Sequence, residues 1–185
     1  MAANERDEFL NAFRNCVNLL PRETERALAG LFDLSAQRLV RLAVMVTGNQ
    51  ADAEDALQAA FSRIAAKPRL LANANTPWPY LIRIVRNESL RLLQSGRHGR
   101  AETEVRSVCQ PSVEASLVHE ETADSIRRIL RSLPPAQYEV VILKHWEDLT
   151  FAEISEALGL SQNTVASRYR YALEKLQRSL EPLTR

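Results

Sequence analysis

Cysteine is nearly missing from these 185 residues: Cys16 and Cys109 stand far apart and without CxxC spacing. Two are too few for a structural zinc site or a disulfide framework, and they read as reduced cytosolic thiols. Glycine is almost as scarce, at five residues, and no run of β-branched residues alternates with polar ones, which argues against a sheet. The three histidines, His98, His119 and His145, are scattered, and the "HEE" at 119 lacks the second histidine of a zinc helix. There is no GxSxG and no glycine-rich phosphate loop, so an enzyme is not expected, nor a cofactor, nor a bound metal. No apolar stretch is long enough to span a bilayer, and the opening MAANERDEFL is charged where a signal peptide needs an apolar run. The expectation is a cytoplasmic protein without membrane insertion. An excess of one charge is also lacking: 24 basic residues face 23 acidic ones, for a net charge of +1. No global field draws the chain to nucleic acid or anionic lipid, so any such attraction has to be local.

What is present is helical. Apolar residues make up 45% of the chain, and Ala, Leu, Arg and Glu dominate throughout, giving an all-α protein of two small helical domains. Residues 5–20 form an amphipathic segment ending at Pro21. The stretch 24–47 carries a stripe of Leu28, Leu31, Phe32, Leu39, Leu42 and Val46 and stops at Gly48. Asn49 is placed to cap a helix over 50–66, whose buried face is Ala53, Ala56, Leu57, Ala60, Phe61 and Ile64. Pro68 ends it. A loop, RLLANANTPWP, leads to a helix from about 79 to 94 with Leu81, Ile84, Val85, Leu92 and Leu93 inward. From Ser95 to Ser112 periodicity fails and Gly96, Gly99 and Pro111 appear, marking a linker. Its stretched length could reach roughly 60 Å, its relaxed span nearer 25 Å. Helices are then expected at about 114–131, 135–146, 150–158 and 162–180.

The last two are interrupted for barely three residues. Thr150 followed by Glu153 spells a capping box, so the shorter helix starts sharply, with Phe151, Ile154 and Leu158 as its apolar stripe. Gly159 can end it in the left-handed conformation, Leu160 plugs the corner, and Ser161 caps the next helix. On that helix Val165, Tyr169, Ala172, Leu173, Leu176 and Leu180 fall on one side. Opposite lie Asn163, Ser167, Arg170 and Tyr171, with Thr164, Arg168 and Lys175 on the flanks. This is the layout of a helix-turn-helix, which offers the first turns of its second helix to the major groove. Asn and Arg match base edges, whereas Lys175 and Arg178 suit phosphates. From 161 to 180 four basic residues face one acid, Glu174, which supplies the local attraction. The plainer reading is a helical hairpin with a glycine corner and a solvated polar face.

The stretch LPPAQYEVVILKHWEDLTFAEISEALGLSQNTVASRYRYALEKLQ resembles region 4 of bacterial sigma factors, specifically the extracytoplasmic-function (ECF) group of the sigma-70 family. TGNQADAEDALQAAFSRIA with WPYLIRIVRNESLRLL resembles region 2 of the same proteins. The resemblance implies a region 2-like domain at 23–95, a linker at 96–113 and a region 4-like domain at 114–185, and leaves 1–22 outside it as an amino-terminal extension without an assigned role. It also implies a chain that joins RNA polymerase core through its clamp helices and flap, directs it to promoter DNA and helps melt the duplex. An anti-sigma factor would be its inhibitor.

Carried over by position, the minus-35 element would be read by Thr164, Ser167, Arg168, Arg170 and Tyr171, to which the outward face of the helix adds Asn163 and Lys175. Ala166, Tyr171 and Leu173 stand where the family usually has basic residues. Asp52, Glu54, Asp55 and Gln58 would form the polymerase-binding surface; Asp52 and Glu54 would equally complement the dipole of their helix. The minus-10 element would be held by Asn73, Asn75, Trp78, Arg83, Arg86, Asn87 and Arg91, with the loop Leu70 to Trp78 receiving an unstacked base. Five arginines face one glutamate between 76 and 100. Trp78 and Tyr80 could instead be core aromatics, more so Tyr80, which occupies the family's Trp position; Arg91 stands where the family often has Asp or Asn. Elements several helical turns apart, each about 34 Å, require the tether. A dimeric regulator with a helical sensing domain would account for 134–180 but would leave DAEDALQ and IVRN as coincidences.

Overall fold

The computed structural model describes residues 3–96, 128–130 and 132–180. Every regular element among them is an α-helix, and the chain divides into two compact units, Met1–Pro111 and Ser112–Arg185.

Unit one contains α1 (Ala3–Leu19), α2 (Thr24–Thr47), α3 (Gln50–Ala66), the single turn α4 (Arg69–Ala72) and α5 (Pro77–Gly96). The α2/α3 corner follows the sequence: Gly48 takes φ +82° and its N–H returns to the Val44 carbonyl. Asn49 Oδ1 then accepts from the Asp52 N–H at 2.8 Å and starts α3. Leu31, Leu39, Ala53, Ala60, Ile64 and Leu81 are completely buried where α2, α3 and α5 meet. Helix α1, set apart as an extension by its sequence, closes this core with Phe13 and Val17, and Leu20 just past its end joins them, each at most 1% exposed. Close approach is possible because α2 carries Gly30, where a Cβ would stand 2.9 Å from the Cys16 sulfur.

Three expectations need correction here. Phe32 is 46% exposed, because it lies at the rim of α2, where it makes a T-shaped contact with the Phe61 ring, 5.3 Å away between centroids. The segment 69–79 is not all loop, since α4 occupies its first turn and α5 begins at Pro77, a residue suited to a first turn because its missing N–H is not needed there. Helix α5 also runs on through Ser95 to Gly96. The rest of the linker, and the helix expected at 114–131 apart from the helical turn at 128–130, lie outside the described residues.

Unit two contains α6 (Pro135–His145), α7 (Phe151–Leu158) and α8 (Gln162–Leu180). Leu133, Val141 and Ala172 form a buried cluster joined by half-buried Leu130, Tyr138, Tyr169 and Leu176, which seats α8 across α6. Ile154 and Ala157 of α7 and Val165 of α8 are fully buried, as is Leu149 just ahead of α7.

Candidate nucleic-acid interface

The turn between α7 and α8 is built by local hydrogen bonds. Thr150 Oγ1 accepts from the Glu153 N–H at 3.2 Å, and Glu153 Oε2 accepts from the Thr150 N–H at 2.7 Å, satisfying two backbone donors at once. Gly159 ends α7 at φ +67°, and the Leu160 N–H returns to the Ser155 carbonyl at 3.0 Å. Ser161 Oγ accepts from the Thr164 N–H at 3.1 Å and opens α8.

With Val165 and Ala172 turned into the core, α8 leaves Asn163, Arg170, Tyr171 and Lys175 exposed and Thr164, Ser167 and Arg168 half-buried. The Arg170 guanidinium lies 5.0 Å over the Tyr171 ring, and its Nε stands 3.8 Å from Glu174. Lys175 differs from the sequence expectation. Its Nζ donates to the Ser132 carbonyl, tying α8 to the turn before α6, because that carbonyl lies beyond the end of a helical turn and needs a donor. Leu173, expected inside, is 42% exposed because the α6 contact is confined to the Ala172 and Leu176 side of α8. The ring of Tyr169 is fixed from two sides: its hydroxyl is 2.8 Å from His145 Nε2, and its ring meets the edge of Phe151 at 5.4 Å.

In unit one, Arg83, Asn87 and Arg91 are exposed at four-residue spacing along α5, and Arg86 is half-buried beside them. Asn73 and Asn75 are exposed between α4 and α5. Asn73 borders a cleft of about 670 Å³ whose apolar walls are Pro21, Ala66, Pro68 and Leu70 and whose cations are Lys67 and Arg69. Neither cation was singled out from the sequence, although the string KPR runs into the start of that loop.

Trp78, expected among the minus-10 residues with core packing as its alternative, takes the alternative. It is 3% exposed, and the Phe9 and Phe13 rings abut it edge-on at 5.0 and 5.3 Å. A ring so enclosed by α1 cannot stack on a base. Tyr80, expected in the core, is only half-buried, since it lies toward the Arg83 side of α5 rather than the Leu81 and Ile84 side.

On α3, Glu54, Asp55 and Gln58 are exposed and Asp52 is half-buried. Asp52 receives the Asn49 amide at 2.6 Å and Glu54 the Gln50 amide at 2.6 Å, so both also serve the helix start. Asp55 and Gln58 lie beyond that first turn, on the outward side of the buried Ala56 and Leu57.

Residues 31–98 match the family described as Sigma-70 region 2, and residues 123–176 match Sigma-70, region 4. An RNA polymerase sigma-E factor of Streptomyces avermitilis is 31% identical over 77% of this chain and 79% of its own length. The chain belongs to the sigma-70 family of RNA polymerase sigma factors, in its ECF group. The sigma-E factor of Streptomyces coelicolor is 30% identical over 77% of this chain and 79% of that protein. The ECF RNA polymerase sigma factor SigL of Mycobacterium tuberculosis is 26% identical over 84% of this chain and 90% of its own. Within this sigma factor the region 2 match begins inside α2, so α1 lies ahead of it while still supplying core side chains. Among the described residues no helix is long and apolar enough to cross a membrane.

Proposed function

We propose that this chain binds RNA polymerase core, directs it to promoters and assists the opening of DNA, working through partners rather than through chemistry of its own. The observation that carries this reading is the distribution of the two family matches, region 2 on the first compact unit and region 4 on the second. A regulator built around a single helix-turn-helix is not favoured, because it leaves the match over 31–98 without a purpose.

In this reading the α8 face of Asn163, Thr164, Ser167, Arg168, Arg170 and Tyr171 reads duplex at the minus-35 element. The exposed positions of Asn163 and Arg170, on the side of α8 away from the fully buried Val165, support it. Lys175 would use its remaining N–H groups on a phosphate. Arg83, Arg86, Asn87 and Arg91 would hold the single strand at the minus-10 element. The cleft beside Asn73, apolar on its walls and cationic at Lys67 and Arg69, has the chemistry of a nucleotide receptor. Asp55 and Gln58, with Asp52 and Glu54 behind them, would meet basic residues of the polymerase clamp. An anti-sigma factor belongs to this reading as the protein that would hide these surfaces in the inactive state.

The test is run-off transcription with purified chain, purified core polymerase and a library of upstream sequences. Promoter-specific transcripts that require the chain are expected. Transcription no different from core alone on every template would reject the proposal.

A further inference from the structure

A buried acid on α5 has no place in the surfaces assigned so far. Glu88 is 6% exposed, yet both of its oxygens are approached by arginines whose own side chains are in solvent. Arg91 Nη2 lies 2.7 Å from Oε2, and Arg63 Nη1 of α3 lies 3.4 Å from Oε1; the two arginine side chains are 69% and 55% exposed. We infer that Glu88 is a positioning residue that fixes Arg63 and Arg91 as one phosphate-gripping pair, and that Arg63 is a single-strand contact. This rests on the minus-10 reading of α5 proposed above.

The argument starts from the cost of the acid. A buried carboxylate is retained only when paired, and here it is paired twice, so the two guanidinium groups neutralise one charge and leave one positive charge over at the surface. Each guanidinium has five N–H donors in a rigid planar fork; Arg63 spends one of them in a hydrogen bond to Oε1, while Arg91 faces Oε2 as an ion pair without hydrogen-bond geometry. Both side chains remain largely in solvent while the buried charge keeps them close together, so a phosphate meets them at reduced entropic cost. Position supplies the rest. Arg91 ends the exposed stripe Arg83, Asn87 and Arg91, which spans about 12 Å along α5. Glu88 brings Arg63 from the neighbouring helix to the end of that stripe. An isolated surface ion pair would need neither a buried acid nor two helices.

The sign of one substitution separates positioning from bulk charge. Glu88→Gln removes a negative charge next to DNA, so if only net charge mattered, binding would tighten. If Glu88 positions the pair, binding weakens. The experiment uses the full chain bound to core polymerase and a fluorescent single-stranded oligonucleotide carrying the minus-10 sequence of a promoter that the wild-type holoenzyme opens, titrated at several salt concentrations.

Glu88→Gln is expected to weaken binding about threefold or more with its thermal unfolding and polymerase affinity near wild type. Arg63→Ala, a change at an exposed side chain, should reduce the magnitude of the salt slope by about 0.7, the loss of one phosphate on a single strand. The double variant should bind like Arg63→Ala and Glu88→Gln combined less than additively, as groups acting together do. Tighter or unchanged binding by Glu88→Gln, or an unchanged slope for Arg63→Ala, would overturn the inference. Should Glu88→Gln unfold, the Arg63→Ala slope decides alone. A wild-type chain that opens no promoter would instead overturn the underlying minus-10 reading.

Discussion

Arg170 is the residue at which binding and stability separate most cleanly. Its only described charged neighbour is Glu174 at 3.8 Å, and its side chain is 66% exposed. An exposed pair of that length adds little to folding. Arg170→Ala should therefore leave the melting temperature within about a degree or two while weakening duplex promoter binding by roughly 1–3 kcal/mol. Footprinting beside thermal unfolding checks it, and an unaltered footprint would reject Arg170 as a reader. Trp78 should behave in the opposite way. Enclosed by Phe9 and Phe13, it should cost about 3–5 kcal/mol of stability on change to alanine. Urea denaturation measures this, and a variant as stable as the parent would return Trp78 to the pool of base-stacking candidates. Asp55 is exposed beyond the capped first turn of α3, so Asp55→Lys should weaken competition for core polymerase at unchanged stability. Equal competition would remove it from the clamp-facing surface.

At the scale of elements, helix ends were legible in the sequence and side-chain environments were less so. Asn49, Thr150, Gly159 and Ser161 announce their corners because capping is local: donor, acceptor and φ requirement all lie within a few residues. The cap at α7 is correspondingly testable. Thr150→Ala removes one half of the capping box and should cost about 1 kcal/mol, read as a lower denaturation midpoint with an unchanged slope. No change would mean that tertiary contacts alone hold α7. The exchange between Trp78 and Tyr80 has a different origin. Helical periodicity defines which way a residue points on its own helix, but not which neighbour awaits it there. The rings that bury Trp78 come from α1, some 65 residues earlier in the chain. For the same reason the Arg63, Glu88 and Arg91 cluster could not be read from spacing: its longer pair joins α3 to α5 across 25 residues. Phe32 and Leu173 satisfied the period of their helices and still face solvent, since a stripe can be wider than the partner covering it.

For the whole molecule, charge distribution matters more than charge. The net charge is +1, so a free chain gains almost nothing from long-range attraction to duplex and must rely on the cations of α8. Those are Arg168, Arg170, Lys175 and Arg178, and two of them have intramolecular business: Arg170 with Glu174 and Lys175 with the Ser132 carbonyl. The chain without polymerase should therefore neutralise only about two or three phosphates of duplex DNA. Its binding constant should fall with a log–log salt slope of roughly −1.8 to −2.7, a loss of about 12- to 40-fold over a fourfold rise in salt. Weak, shallow binding of this kind makes promoter occupancy depend on assembly with the polymerase, because the α5 cations can then act on the same DNA as α8 in one complex. The holoenzyme slope should be steeper than that of the chain alone. Fluorescence anisotropy on one duplex, with and without core polymerase, measures both. A free-chain slope steeper than about −5 would mean that cations outside α8 already grip duplex unaided, and the dependence on assembly would be lost.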